Sequence, residues 1–177
     1  MSNLKKLTWE HHKNAERQDF VKELMGGISA KRYCEFLHNQ HPQYNLLEQF
    51  SRLHDLTDII VAPKIHQDIL ELEKQFDDYR PTIHPVVKEY MDHIMSIKDD
   101  PDKLMAHIYV RHMGDLSGGQ MIARKIPGSG TMYQFDDDVD VLKDRIRTRL
   151  DDSMADEAKI CFDFATKLFQ QMAVSNN

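Results

Sequence analysis

An all-α fold is what this sequence predicts, on three observations. Apolar residues recur at three- and four-residue intervals in one segment after another. No stretch shows the convincing apolar–polar alternation of a strand, and Pro, Gly, Asp and Ser punctuate the ends of the periodic segments. At 177 residues the chain suits one domain, 1–177, with about seven helices around a single core.

Ser2 or Asn3 can cap a first helix that runs to Met25 and ends at Gly26-Gly27, with Leu4, Leu7/Thr8, His11/His12 and Ala15 on its inward stripe. Ser29 opens a second helix through Tyr33, Phe36, Leu37, Tyr44, Leu47 and Phe50, in which Pro42 predicts a kink or break. After a connection over 55–63, a third helix spans 64–76 with Ile65, Ile69, Leu72 and Phe76 on one face, and stops before Arg80-Pro81. The segment Thr82 to Pro85 starts a fourth, carrying Val86, Val87, Tyr90, Ile94 and Ile97. Asp99-Asp100-Pro101 then supplies a stop, a cap and a first-turn proline for the fifth. Pro127 to Gly130 is the clearest loop, and Asp136 to Asp138 leads into a helix with Val141, Leu142, Ile146 and Leu150 on its apolar side. Ser153 to Asp156 opens the last helix, whose stripe is Ile160, Cys161, Phe164, Leu168 and Met172, and the tail from Ser175 should fray.

With 23 basic and 29 acidic residues the formal charge is −6, which argues against a general nucleic-acid binder. Cys34 and Cys161, far apart in helical patterns, read as buried free thiols in a reducing compartment. No segment approaches about 18 consecutive apolar residues, and the N-terminus lacks the apolar core of a signal peptide. A soluble, cytoplasmic protein without membrane attachment is therefore expected.

The unusual stretch is His112-Met113-Gly114-Asp115-Leu116-Ser117-Gly118-Gly119-Gln120, which sets three glycines and a carboxylate inside a run that otherwise reads as helix. At roughly 1 kcal/mol each relative to Ala, the glycines carry a local penalty of about 3 kcal/mol. Missing side chains must serve close packing of another backbone or close approach of a flat ligand. Leu116 to Gln120 also spells a signature peptide of ABC-type ATPases, but the phosphate-cradling G-x-x-x-x-G-K-[ST] loop such enzymes need is absent from the sequence.

Four constellations can carry chemistry. His12 and Glu16, four apart, share a helix face, which suits either an exposed pair or a metal-binding imidazole oriented by a carboxylate. Lys143 and Arg147 are likewise four apart, a grip for two carboxylates of one ligand or a solvated basic face. Phe162 and Phe169 stack on one face of the last helix, where core packing is the default. Tyr44, Tyr109, Arg111 and Asp115 offer hydroxyls, a fixed cation and a carboxylate for a buried network, although spacing alone does not make them converge.

Together these segments resemble the heme oxygenases along nearly the whole chain. Tyr109 to Gln120, YVRHMGDLSGGQ, is similar to that family's distal-helix signature, and Leu4 to Glu16, LKKLTWEHHKNAE, to its proximal helix, with the alignment of Thr8 and Ala15-Glu16 selecting His12 over His11. The resemblance implies heme sandwiched between a proximal first helix and a glycine-kinked distal helix. His12 would be the iron ligand and Glu16 its orienting partner. Gly114, Ser117, Gly118 and Gly119 would lie along the porphyrin face, Lys143 and Arg147 with Lys5 would hold the propionates, and Phe162 and Phe169 would line the pocket. Asp115, supported by Tyr44, Tyr109 and Arg111, would deliver protons through water, while Gly114 and Gly118 keep any stronger acid away.

The implied activity is cleavage of heme b, cofactor and substrate at once, at the α-meso carbon with O2 as co-substrate, giving biliverdin IXα, CO and ferrous iron. With no flavin or nicotinamide motif present, electrons must come from outside, and Lys5, Lys6, Lys13, Arg17 and Lys22 form a basic face suited to an acidic donor such as ferredoxin. A bilin reductase is the implied downstream partner. The chain departs from the family pattern at His112, where animal members usually have tyrosine, and at Ala165, where many have asparagine. A non-catalytic heme carrier on the same scaffold would need His12 and the cations but not the Asp115 network.

Overall fold

A computed structural model describes residues 2–175. Among them there is no strand. The helices are α1 (Leu4–Leu7), α2 (Trp9–Glu16), α3 (Asp19–Met25), α4 (Ala30–Leu53), α5 (Ala62–Glu73), α6 (Pro85–Ile97), α7 (Pro101–Ser117), α8 (Gly119–Ile122), α9 (Val139–Arg147) and α10 (Ala155–Ser175). Short 3-10 turns lie at Thr131–Tyr133 and Asp152–Met154.

The single first helix expected to Met25 is three pieces. Thr8 breaks the first junction by turning its hydroxyl onto the Leu4 carbonyl at 2.7 Å, a local bond that competes with helical geometry. Arg17-Gln18 makes the second break, with Gln18 extended at φ −66°, ψ 145°. Conversely, α4 runs unbroken through Pro42. The proline removes one backbone donor, and packing of α4 against α5, α6 and α7 outweighs that loss. The glycine-rich helix continues through Gly114 and is interrupted only at Gly118. Asp100 caps α7 as expected, accepting from the Lys103 N–H at 3.1 Å.

The core joins α4 to α6, α7 and α10, with Tyr33, Leu37, Leu47, Tyr90, Leu104 and Ile108 fully buried. Three residues placed in the apolar stripes stand outside it: Leu7 (44% exposed), Val141 (48%) and Ile160 (36%). Each borders the true stripe, so the period was right and the width too generous. Phe76 lies past the end of α5 and is only partly buried. The predicted fraying concerns Ser175, the last helical residue, and Asn176 and Asn177, which lie outside the described residues. Cys34 and Cys161 are buried free thiols.

Candidate functional site

On α2, one turn brings His12 Nε2 to 2.7 Å from Glu16 Oε1. Both side chains remain accessible, and the His12 ring stacks on Phe162 of α10 at 5.2 Å with the planes 11° apart. Trp9 meets the same ring edge-on at 5.6 Å. One imidazole nitrogen is thus committed to a carboxylate while an aromatic neighbour sets the plane. His11 points elsewhere and pairs through Nδ1 with Asp163 Oδ1 at 2.8 Å. That partner comes from another helix, so no local spacing announced it.

The second half of the site is on α7. Asp115 is buried, and the Tyr44 hydroxyl from α4 lies 3.0 and 2.8 Å from its two oxygens, donating to the carboxylate. Burial pushes the Asp115 carboxyl up to about 7, against the opposing pull of His112, the Tyr44 hydroxyl and Arg111. One turn before Asp115, Arg111 lies between two tyrosine rings, 4.2 Å from the Tyr90 centroid and 5.3 Å from that of Tyr44. Its Nε donates to Tyr90 Oη at 3.0 Å and its Nη2 to Gln43 Oε1 at 2.7 Å. Tyr109 does not join this group: its half-buried phenol is beside Thr8 of the proximal segment. Three of the four expected network members converge.

The glycines divide into two kinds. A Cβ on Gly114 would meet nothing within 4 Å, and one on Gly118 only the Gly114 carbonyl at 3.8 Å. Four residues apart and next to exposed Ser117, they make an open strip without side chains of its own on the helix that carries buried Asp115. Gly119 is buried instead against Tyr133, whose ring atoms would lie 2.7 Å from an added Cβ. Its missing side chain serves core packing, whereas Gly114 and Gly118 leave room for a flat ligand.

The cations also separate. Arg145 of α9 reaches Asp58 and Asp137 at 3.2 Å each, and Arg149, in the turn just past that helix, donates to the carbonyls of Asp55 and Leu56 at 2.6 Å, tying this part of the chain to the 54–61 connection. Lys143 and Arg147 lie off this contact. Arg147 pairs with Asp144 at 2.9 Å and lines an open cleft of about 830 Å³ with Ser2, Thr148, Leu150 and Asp152. Lys5 is exposed on α1. Of the two aromatics, Phe162 touches His12, while Phe169 packs with Phe20 and Phe36 at 6.0 and 6.3 Å in the core.

A sequence model of the family described as Heme oxygenase matches residues 1–171. The chain belongs to the heme oxygenase family. It is 32% identical to the heme oxygenase of Rhodella violacea, over 96% of this chain and 85% of that one, and 30% identical to that of Guillardia theta over 97% and 85%. Its fold matches the heme oxygenase structure from Leptospira interrogans with a TM-score of 0.81 at 26% identity, covering 95% of this chain and 97% of that one. The fold of Synechocystis heme oxygenase-1, solved in complex with heme, matches with a TM-score of 0.80 at 24% identity over 96% and 90%. Membership makes this an oxidoreductase that degrades heme. Among the described residues no helix is long and apolar enough to cross a membrane.

Sequence reasoning missed several residues around the oxygenase's buried network. Tyr90 and Gln43 hold Arg111, yet Tyr90 read as one more apolar-stripe residue. Glu48 accepts from the Val61 and Ala62 N–H groups at 2.7 and 2.9 Å, capping α5 from inside. The same carboxylate meets His112 Nε2 at 2.8 Å. His112, the departure from the animal pattern, is fully buried with its ring 5.6 Å from that of Tyr44, and its Nδ1 has no hydrogen-bond partner. Ala165 is half-buried on α10.

Proposed function

We propose that this heme oxygenase cleaves heme b at the α-meso carbon to biliverdin IXα, CO and ferrous iron, using O2 and electrons from a ferredoxin-type donor. The observation that carries the reading is the open Gly114 and Gly118 strip on the same helix as the buried Asp115 carboxyl, which burial pushes up to about 7. Added Cβ atoms would fill that strip, so the residues present fit a flat macrocycle.

His12 would hold the iron, with Glu16 fixing its tautomer and ring orientation, and Phe162 would restrain the imidazole plane. Bound heme supplies both the O2-activating metal and the carbon skeleton that is oxidised. Asp115 accepts and releases a proton near neutral pH and passes it through water at the open strip, because no side chain on Gly114 or Gly118 can act directly. Tyr44 orients that carboxyl, and Arg111, locked by Tyr90 and Gln43, keeps a fixed positive charge one turn away. Lys143 and Arg147, with Lys5, are offered to the propionates and so set the in-plane rotation that favours the α carbon. Tyr109 supports the site from the Thr8 side.

Lys5, Lys6, Arg17 and Lys22 are exposed along α1 to α3, with Lys13 over Trp9 at 5.8 Å, a basic surface complementary to an acidic electron carrier. Two buried free thiols suit the reducing cytoplasm. Biliverdin released here is a substrate for a bilin reductase. The test is hemin added to the protein, followed by ferredoxin, its reductase and NADPH in air. The Soret band should decay as biliverdin absorption rises and CO is trapped; hemin that binds through histidine yet survives every donor, ascorbate included, identifies a carrier.

A further inference from the structure

A second cluster of ligating side chains is buried where α6, α7 and α10 meet. His93 of α6 and His107 of α7 direct their Nε2 atoms at the same oxygen, Glu157 Oε1 of α10, at 2.5 and 2.8 Å. The three donor atoms all lie within 4.8 Å of one another. His107 is fully buried, Glu157 nearly so, and His93 lies at the rim with 23% of its side chain exposed, leaving a route in from solvent. Side chains from facing helices converging on one point are how metal sites are built in helical bundles.

We propose that His93, His107 and Glu157 form a binding site for a borderline divalent cation of the Zn²⁺ or Co²⁺ class, separate from the heme site. Two imidazoles and one carboxylate are a donor set for such ions, with a remaining position open toward the rim. Tetrahedral coordination at about 2.0–2.1 Å separates donors by about 3.3 Å. The 2.5 and 2.8 Å contacts to Glu157 would each open by less than about 1 Å to reach that separation. The protons balance ring by ring: each imidazole binds the cation through Nε2 as the neutral Nδ1–H form, so a ring that starts as the Nε2–H tautomer moves its hydrogen to Nδ1 and a ring that starts as imidazolium releases its Nε2 proton to solvent.

The surroundings fit a ligating imidazole. His107 Nδ1 lies 2.8 Å from Tyr90 Oη, and a metal-bound Nε2 requires Nδ1 to carry the hydrogen and donate it there. Tyr90 Oη can accept this bond alongside the one from Arg111 Nε, while turning its own hydrogen toward Cys161 Sγ at 4.0 Å. The other ligating cluster, Cys34 with His38 and Glu73, is weaker, because burial pushes the Cys34 thiol up to about 12 and withholds the thiolate.

The test is titration of chelator-treated full-length protein with Co²⁺, read by the visible d–d absorption of four- or five-coordinate cobalt, followed by competition with Zn²⁺. One equivalent should bind, Zn²⁺ should displace it, and the band should persist in His12→Ala and His38→Ala. His93→Ala and Glu157→Gln should each weaken binding at least about tenfold, the loss already seen for outer-shell partners. His93 is at the rim, so His93→Ala decides the matter if Glu157→Gln fails to fold. No cobalt band, a band unchanged by His93→Ala, or a band lost in His12→Ala overturns the proposal.

Discussion

The Tyr44 hydroxyl lies 3.0 and 2.8 Å from the two oxygens of Asp115, which ties α4 to α7 across 71 positions of sequence. The bond favours the ionised carboxylate, and burial favours the protonated one. Burial wins, leaving Asp115 at about 7.

That balance makes Asp115 a cost to folding above the usual carboxylate range. The folded state binds the proton more tightly than the unfolded chain, so this group's contribution to stability falls as pH rises from about 4 to about 7. Asp115→Asn should therefore be more stable than the wild type at pH 8, by up to about 4 kcal/mol, with the gain shrinking as pH drops toward 4. Thermal melts of both proteins across this range check the sign.

Tyr44→Phe removes the hydroxyl that opposes burial, so Asp115 should titrate above its present value of about 7. The acid-to-base midpoint in the pH profile of heme degradation should move upward, and an unmoved midpoint would place the titrating group elsewhere.

The glycines should respond oppositely. Gly114→Ala adds a methyl group to empty space in a helix and should keep or raise stability by up to about 1 kcal/mol while weakening hemin binding. Gly119→Ala drives a methyl group into the Tyr133 ring and should lose about 1–3 kcal/mol. Paired melts and hemin titrations separate the two effects.

Among the α9 cations, Lys143→Ala combined with Arg147→Ala should turn a single biliverdin isomer into a mixture. Arg145→Ala on the same helix and Arg149→Ala in the turn after it remove ties to the 54–61 connection and should leave the isomer unchanged. Chromatography of the products distinguishes these outcomes.

For the axial ligand, His12→Ala should lose the imidazole-ligated hemin spectrum, whereas His11→Ala should keep it and change stability by no more than about 1 kcal/mol, since its Asp163 contact is exposed.

Features set by neighbours in sequence were legible before the structure. His12 with Glu16 depends only on one helical turn, and the open strip at Gly114 and Gly118 depends on missing side chains in a periodic helix. Tyr44 with Asp115 became legible only through family resemblance, because contacts across helices leave no spacing signal. Tyr90 was hidden inside an apolar stripe, although its hydroxyl holds Arg111 and meets His107. A break at Pro42 and an unbroken first helix do not hold, for reasons that helical spacing does not carry: tertiary packing sustains α4 through a proline, while the Thr8 hydroxyl competes with backbone bonds at an otherwise helical position.

The central claim is that the buried Asp115 behind the glycine strip drives cleavage of bound heme. Its most direct test compares wild type and Asp115→Asn, each loaded with hemin and supplied with ascorbate in air, by biliverdin yield and trapped CO. The account predicts equal hemin binding and full conversion by the wild type, with biliverdin and CO lost in the variant; equal yields from both proteins would contradict it.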